Sequence, residues 1–439
     1  PTASTSPRSH SRHPDPPSKL TRLRLPSSLE ALTEPRFRLL WAGQATSAIG
    51  DGLMAIALAF AVLRIGGSAT QLGLVLAVGV ASRVAFYLVG GVWADRLPRQ
   101  VVMLTSDLVR AAQQFSVGVL LITGNARMWH LVAGAIVYGL AAAFFQPAST
   151  ALVPATVTRS RLQQANALMG LSRSTTSVAG PLLSGVLVAA FGPGWVFIIN
   201  GVTFIVSAMT LAMLHVEPIV QAARRSFLRD LALGWHEFAI RPWYWMNLCV
   251  HATWAFAFAA FYVLGPLVAS RQLGGPSAWG LVSACLGAGL VAGGIITLRL
   301  VPARPLIAAN LALTPAALPL LALAVPLPAV IIGLTCVVAF AGLAFLNEVW
   351  EAVMQQLIPA VVLSRVTSYD YLISSIAMPV GYALSGPVAQ RFGISTTLVA
   401  AAIILAAPSL ASVFLPGVRR VRRTPQGTIV EGEAALVSS

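Results

Sequence analysis

The sequence predicts an all-α membrane protein with twelve transmembrane helices in two pseudo-symmetric six-helix bundles. Composition is the first reason. Of 439 residues 57% are hydrophobic and only 10% charged, with a mean hydropathy of +0.79. Soluble domains run nearer 45–50% apolar and about 25% charged, so a soluble enzyme and a disordered chain are both excluded. The second reason is twelve apolar segments, six and six, each near the ~20 residues that cross a bilayer. The third is an internal repeat that relates the two sets.

Taken in order, residues 1–36 are rich in Pro, Ser and Arg without helical period, and are expected to form a disordered basic cytoplasmic tail. The tail has neither an apolar core nor a small-residue cleavage site, unlike a secretory signal. An N-terminal bundle over 37–215 holds segments 39–63, 71–94, 101–123, 129–152, 167–190 and 194–214. Residues 216–243 form a cytoplasmic linker whose stretch 226–240 has the pattern of an amphipathic surface helix. A C-terminal bundle over 244–416 holds segments 244–268, 278–298, 305–325, 328–353, 369–390 and 395–416, and 417–439 is a cytoplasmic tail.

Orientation follows from the basic residues. With the N-terminus inside, tails and even-numbered loops hold 22 of the 29, the outer loops only Arg64, Arg127, Arg271 and Arg391, and helices Arg83, Arg110 and Arg173. Positive charge retained on the cytoplasmic side places both termini there. The net charge of +15 is thus a topology signal, not a nucleic-acid footprint. Cys249, Cys285 and Cys336 lie in apolar stretches without Cys-x-x-Cys spacing and read as small buried hydrophobes.

The repeat sits at an offset of 201 to 205. AlaGlyProLeuLeuSerGlyValLeuValAlaAlaPheGly at 179–192 matches 380–393 in six of 14 positions, LeuValProAla at 152–155 pairs with LeuIleProAla at 357–360, and SerArg at 160–161 with 364–365. Three matches in the same order mark a duplicated six-helix unit, the organisation of transporters that rock two halves about a central site.

The loop after the second segment reads Gly91-Val-Trp-Ala-Asp95-Arg96-Leu-Pro-Arg99-Gln100. It resembles the signature loop of the major facilitator superfamily, Gly-x-x-x-Asp-Arg-x-Gly-Arg-(Arg/Lys), with Pro98 and Gln100 as departures. The resemblance covers about 37–416 and implies alternating access. Physically, an Asp beside two Arg at a helix end can latch neighbouring helices on the cytoplasmic side, though any inner loop favours Arg. Asp107 and Arg110, three apart at the start of the third segment, either extend this gate or form a local surface pair. In the fifth segment Gly180-Pro181-Leu-Leu-Ser184-Gly185 resembles the antiporter motif of the drug-efflux branch, which implies export; small-residue faces are also common packing devices. The Arg of the fourth segment that accompanies efflux is absent, Ala135 standing in its place.

Intramembrane charges cost roughly 3 kcal/mol or more each unless compensated. Asp51 and Arg83 lie at matched depth, ~18 Å in at 1.5 Å per residue, and are expected to pair. A proton on Asp51 would weaken that pair and bias the halves, which makes these two the proton-coupling candidates; the alternative is a permanent structural pair. Glu348 and Glu351, with Asn347, share a face near the inner end of the tenth segment. They are assigned to the cytoplasmic gate, opposite Arg96 or Arg365, with proton or substrate binding as the alternative. Gln146, His251, Trp254 and Asn347 are candidates to line the substrate cavity, and His251 is equally a hydrogen-bonded filler.

No phosphate-binding loop, His-Glu-x-x-His or Gly-x-Ser-x-Gly is present, so ATP hydrolysis, metal sites, cofactors and enzymatic chemistry are not expected. The expected partners are a small molecule, protons and the lipid bilayer, without nucleic acid, for a monomeric chain. The expected setting is a bacterial cytoplasmic membrane. The function expected is export of a small amphipathic drug-like or secondary-metabolite molecule by proton antiport. Proton-linked import of a nutrient or siderophore, and a non-transporting membrane sensor, remain open alternatives.

Overall fold

A computed structural model describes residues 27–94, 97–215 and 240–432, with the backbone alone described at 27–29, 87–94, 151, 360–373 and 375. The long helices of the first half are α1 Pro35–Arg64, α2 Ala69–Ala94, α3 Arg99–Ile122, α4 Met128–Leu152, α5 Leu162–Phe191 and α6 Pro193–Ala212. Those of the second half are α7 Pro242–Gln272, α8 Pro276–Thr297, α9 Pro305–Leu313, α10 Ala317–Ala324, α11 Ala329–Leu357, α12 Ala360–Phe392 and α13 Ile394–Ala411. Each of the twelve apolar segments falls on a helix, the ninth being α9 and α10 joined through a 3-10 turn at Thr314–Ala316. Proline opens α1, α6, α7, α8 and α9, where its fixed φ suits the first turn and its missing N–H costs nothing.

Ten described stretches are long and apolar enough to cross a membrane, α9 and α10 together counting as one. Helix α3 falls short because it carries a stripe of Asp107, Arg110 and Gln114. All three are turned inward, at 0%, 3% and 1% exposure.

Within the first half α1 and α3 both lie along α6, α2 along α4, and α1 along α5; in the second α8 lies along α11 and α7 along α12. Small residues set these distances. Gly180 of α5 meets Gly52 of α1, and Gly118 of α3 meets Gly194 of α6, backbone to backbone, so that a Cβ at any of them would have no room. The halves join through α5 with α8 and α12 with α2. Gly185 touches Gly280, and Gly386 touches Thr70. Gly185 and Gly386 are repeat mates at an offset of 201, as are Gly192 and Gly393, which close α5 and α12 at φ 85° and 90°. The duplication is thus visible in the packing as well as in the sequence.

The contacts of Gly118, Gly185 and Gly386 lie toward one end of the helices, near the short turns at 65–68, 192, 273–275 and 393, and that of Gly52 with Gly180 lies mid-helix. The core divides accordingly. One apolar cluster runs through the second half and the neighbouring ends of α1 to α6. A second, around Phe37, Leu40, Met103, Leu152 and Leu168, belongs to the opposite end of the first half alone. Among the described residues the cores of the two halves do not join at that opposite end. The protein is closed at the end of the short turns and open at the end bearing the basic segments.

Two expected tails are shorter than predicted. Residues Ser27–Thr33 form a 3-10 helix against α1 and α5, with Ala31 fully buried, because an apolar pair in SerSerLeuGluAlaLeuThr can seal the end of the first-half core. Residues 416–431 fold as α14, Pro416–Arg420, and a hairpin of β1, Val421–Arg423, with β2, Ile429–Glu431. Val418, Val421 and Ile429 are at most 2% exposed. Glu431 accepts from Trp243 Nε1 at 2.8 Å, and the Ile429 N–H donates to Gln356 Oε1 at 2.8 Å. The expected surface helix at 226–240 and most of the N-terminal tail lie outside the described residues.

Candidate transport cavity

A cavity of 610 Å³ lies in the first half, lined by residues of α1 to α5, among them Gln44, Asp51, Arg83, Arg110, Tyr138, Gln146, Arg173 and Thr176. Its chemistry is set at Asp51. That residue is enclosed by protein, yet 40% of its side chain faces the cavity. Tyr138 Oη of α4 donates to Asp51 Oδ1, and Arg110 Nη1 of α3 stands 3.9 Å from Asp51 Oδ2. Arg110 also donates to Asp107 Oδ1 one turn back on its own helix. Its guanidinium is sandwiched between the rings of Phe145 and Phe204, 4.2 Å from each centroid. Cation–π contact and two carboxylates thus hold one desolvated charge.

The expected Asp51–Arg83 pair is not what forms. Sequential helices α1 and α2 touch only sparsely, because α2 packs on α4 and α12. Arg83 lines the same cavity. Among the described residues the ion pair of Asp51 is to Arg110. Asp107 and Arg110 are likewise neither a surface pair nor an extension of the loop gate. Their helix turns them into the core, about 12 and 17 Å along the axis from Arg99 at 1.5 Å per residue.

Of the gate candidates, Asp95 and Arg96 lie outside the described residues, and only the backbone is described at Gly91. Arg99 begins α3. Asn347, Glu348 and Glu351 are exposed near the open end of α11; among the described residues neither glutamate has an ion pair, and Glu351 accepts from Gln355 Nε2 at 3.1 Å. The α5 motif is a packing hinge for two partners: Gly180 against α1, Ser184 Oγ donating to the Leu53 carbonyl at 2.6 Å, and Gly185 against α8. Of the cavity candidates Gln146 lines the wall. His251 instead bonds Asn247 at 3.0 Å and lies edge-on to Trp350, and Trp254 stacks on Phe258 with 8% exposure. The two residues missed in the sequence, Tyr138 and Arg110 as partners of Asp51, had one signal: polar side chains at 107, 110 and 114 share a face of α3, and in a membrane helix such a face must turn inward.

No group of three or more His, Cys, Asp or Glu that could hold a metal occurs among the described residues. What the arrangement can do is hold a carboxylate in contact with a cavity and tie α1, α3 and α4 through it.

Two helical halves that meet at one end, with a charged cavity in the wall of the first, fit the class of solute transporters that work across a membrane. The chain belongs to the major facilitator family described as transmembrane secretion effector, which matches residues 26–427, a family of transporters of small molecules rather than enzymes. It is similar to macrolide efflux protein A of Streptococcus pyogenes, at 23% identity over 82% of this chain and 91% of that protein. It is also similar to the multidrug efflux pump Tap of Mycolicibacterium fortuitum, at 25% identity over 86% and 94%. Among solved structures, the nucleoside transporter NupG shares the fold with a TM-score of 0.70 at 13% identity, covering 86% of this chain and 98% of that one. A bacterial homolog of the lysosomal transporter Spinster, inward-facing and occupied, does so at 0.69 and 16%, covering 90% and 99%.

Proposed function

We propose that the protein exports small amphipathic, drug-like molecules across a bacterial cytoplasmic membrane by proton antiport, as a monomer. Export is supported by the efflux proteins it resembles along most of their length. The distribution of arginines supports cytoplasmic termini and a cytoplasmic opening of the cavity.

Coupling rests on one observation: Asp51 is at once a cavity wall and the knot of a three-helix tie. Ionised, it accepts from Tyr138 and attracts Arg110, and it offers an acceptor to a hydroxyl or amine of a solute. Protonated, it loses its pull on Arg110, which keeps Asp107, and it no longer binds the solute's donor as an anion. Proton and solute then compete for one carboxylate, the condition for exchange, and each biases α1, α3 and α4 differently. Gly185 and Gly386 lie where the halves meet and serve as pivots for opening the closed end. In this reading Glu348, Glu351 and Arg99, together with Asp95 and Arg96 of the loop before α3, latch the cytoplasmic side when the cavity opens outward. The test is Asp51→Asn, which keeps size and a hydrogen bond to Tyr138 but cannot release a proton: solute-driven proton flux is expected to vanish.

A further inference from the structure

A second hollow has no part in this cycle. It is an apolar groove of 670 Å³ on the outer flank of the second half, between α8, α9 and α11, walled by residues such as Ile296, Leu300, Val301, Ala312 and Phe345 and sharing no residue with the central cavity. Its origin is the break at Thr314–Ala316, where Pro315 cannot supply the next helical N–H, so that the ninth segment recedes while Gly342 brings α11 down onto Ala312. From Ala292 on α8 to Leu300 just past its end, and from Val337 to Phe345 on α11, the groove runs about 12 Å at 1.5 Å per residue, somewhat under half the ~30 Å hydrocarbon thickness. It therefore spans most of one leaflet.

The mouth is cationic. Arg299 and Arg304 are exposed on either side of Leu300–Pro302, with no acidic residue from 299 to 305 or from 416 to 423; the one carboxylate of the adjoining hairpin strands, Glu431, is engaged by Trp243 Nε1. The loop between them is held: the Arg423 N–H of the C-terminal hairpin donates to the Ala303 carbonyl at 2.9 Å, and Arg419, Arg420 and Arg422 are exposed on that appendage. Leu298 and Val301, at 83% and 64% exposure, form an apolar lip at the same level. An apolar slot of nearly leaflet depth with two exposed arginines flanking its rim matches a phospholipid with a negative headgroup, acyl chain inward and phosphate at the level of the arginines.

We infer that this groove is a specific site for one anionic phospholipid, of the leaflet on which the basic segments lie. The inference is independent of transport direction and coupling. The test is native mass spectrometry of the full chain titrated with phosphatidylglycerol or with phosphatidylcholine of the same acyl chains. The first phosphatidylglycerol is expected to bind at about tenfold lower concentration than phosphatidylcholine. Arg299→Gln with Arg304→Gln should erase that preference, Arg299→Lys with Arg304→Lys should keep most of it, and Ile296→Trp, which fills the slot, should remove the first adduct of either lipid. Arg127→Gln, at the other end of the molecule, should change nothing. Equal binding of both lipids by the unaltered protein, a preference that survives the Gln pair, displacement by free glycerol 3-phosphate, or a dimer occupying the site in place of lipid would each overturn the inference.

Discussion

Gly185 is the position at which the closed end can be opened by one carbon. A Cβ built there stands 2.8 Å from the Pro276 carbonyl oxygen, 3.0 Å from Gly280 Cα and 3.2 Å from Ser277 Cα. All three are backbone atoms at the start of α8, so no side chain can swing aside and the helices themselves must separate. Overpacking of this kind costs roughly 1–3 kcal/mol. If Gly185→Ala applies that penalty to the conformation in which α5 and α8 touch, and not to the one in which they part, the ratio of the two shifts by about 5- to 150-fold toward opening. The matched control is Gly170→Ala on the same helix, where the new methyl meets open space. Spin labels at Asn125 and Arg271, on the two halves at the closed end, report the change in a background with the three cysteines replaced. A second, longer distance population should grow in Gly185→Ala and stay absent in Gly170→Ala. An unchanged distance distribution in Gly185→Ala would refute the argument that this contact holds the end shut.

Two further outcomes follow from the charges. Arg110→Met should destabilise the protein by about 3–5 kcal/mol, since two inward carboxylates lose their shared cation; adding Asp107→Asn should recover a large part of that, and denaturation of the two variants in mixed micelles compares them. At the open end, burial disfavours the Glu34 anion, but the Thr158 N–H and hydroxyl at 3.2 and 2.9 Å and the Arg161 charge outweigh it and hold its carboxyl below the usual glutamate range. A lowered carboxylate pKa gives stabilisation that is complete above the unfolded-state value and lost as pH falls through the folded one. Hydrogen exchange at the Thr158 amide should accelerate below about pH 4.5, once the intrinsic pH dependence is divided out, and Glu34→Gln should flatten the change.

The parts of this molecule that were legible in the sequence are those written in one dimension. Each apolar run falls on helix, although the ninth is broken in two and the helix of the eleventh begins nine residues before the expected 369, and the offset of 201 returned as Gly185 and Gly386 at equivalent contacts. What was not legible depends on how helices rotate and which of them are neighbours. Depth along the axis matched Asp51 with Arg83, but depth says nothing about azimuth, and α1 packs on α5 and α6 rather than α2. Arg110 was visible and misplaced for the same reason: three-residue spacing from Asp107 fixed the pair, not the direction it faced. The C-terminal hairpin escaped because Arg419–Arg423 dominates its composition. The alternation that buries Val421 and Ile429 around a turn closed by Gly427 at φ 90° is only a few residues long.

The central claim is that one carboxylate on the cavity wall exchanges a proton for a solute. Purified protein in liposomes carrying an interior pH dye, given an imposed gradient of macrolides or other amphipathic drugs, tests it most directly. The account predicts proton movement opposite to solute movement, present in the unaltered protein and absent in Asp51→Asn. Solute movement with full proton coupling in Asp51→Asn would contradict it.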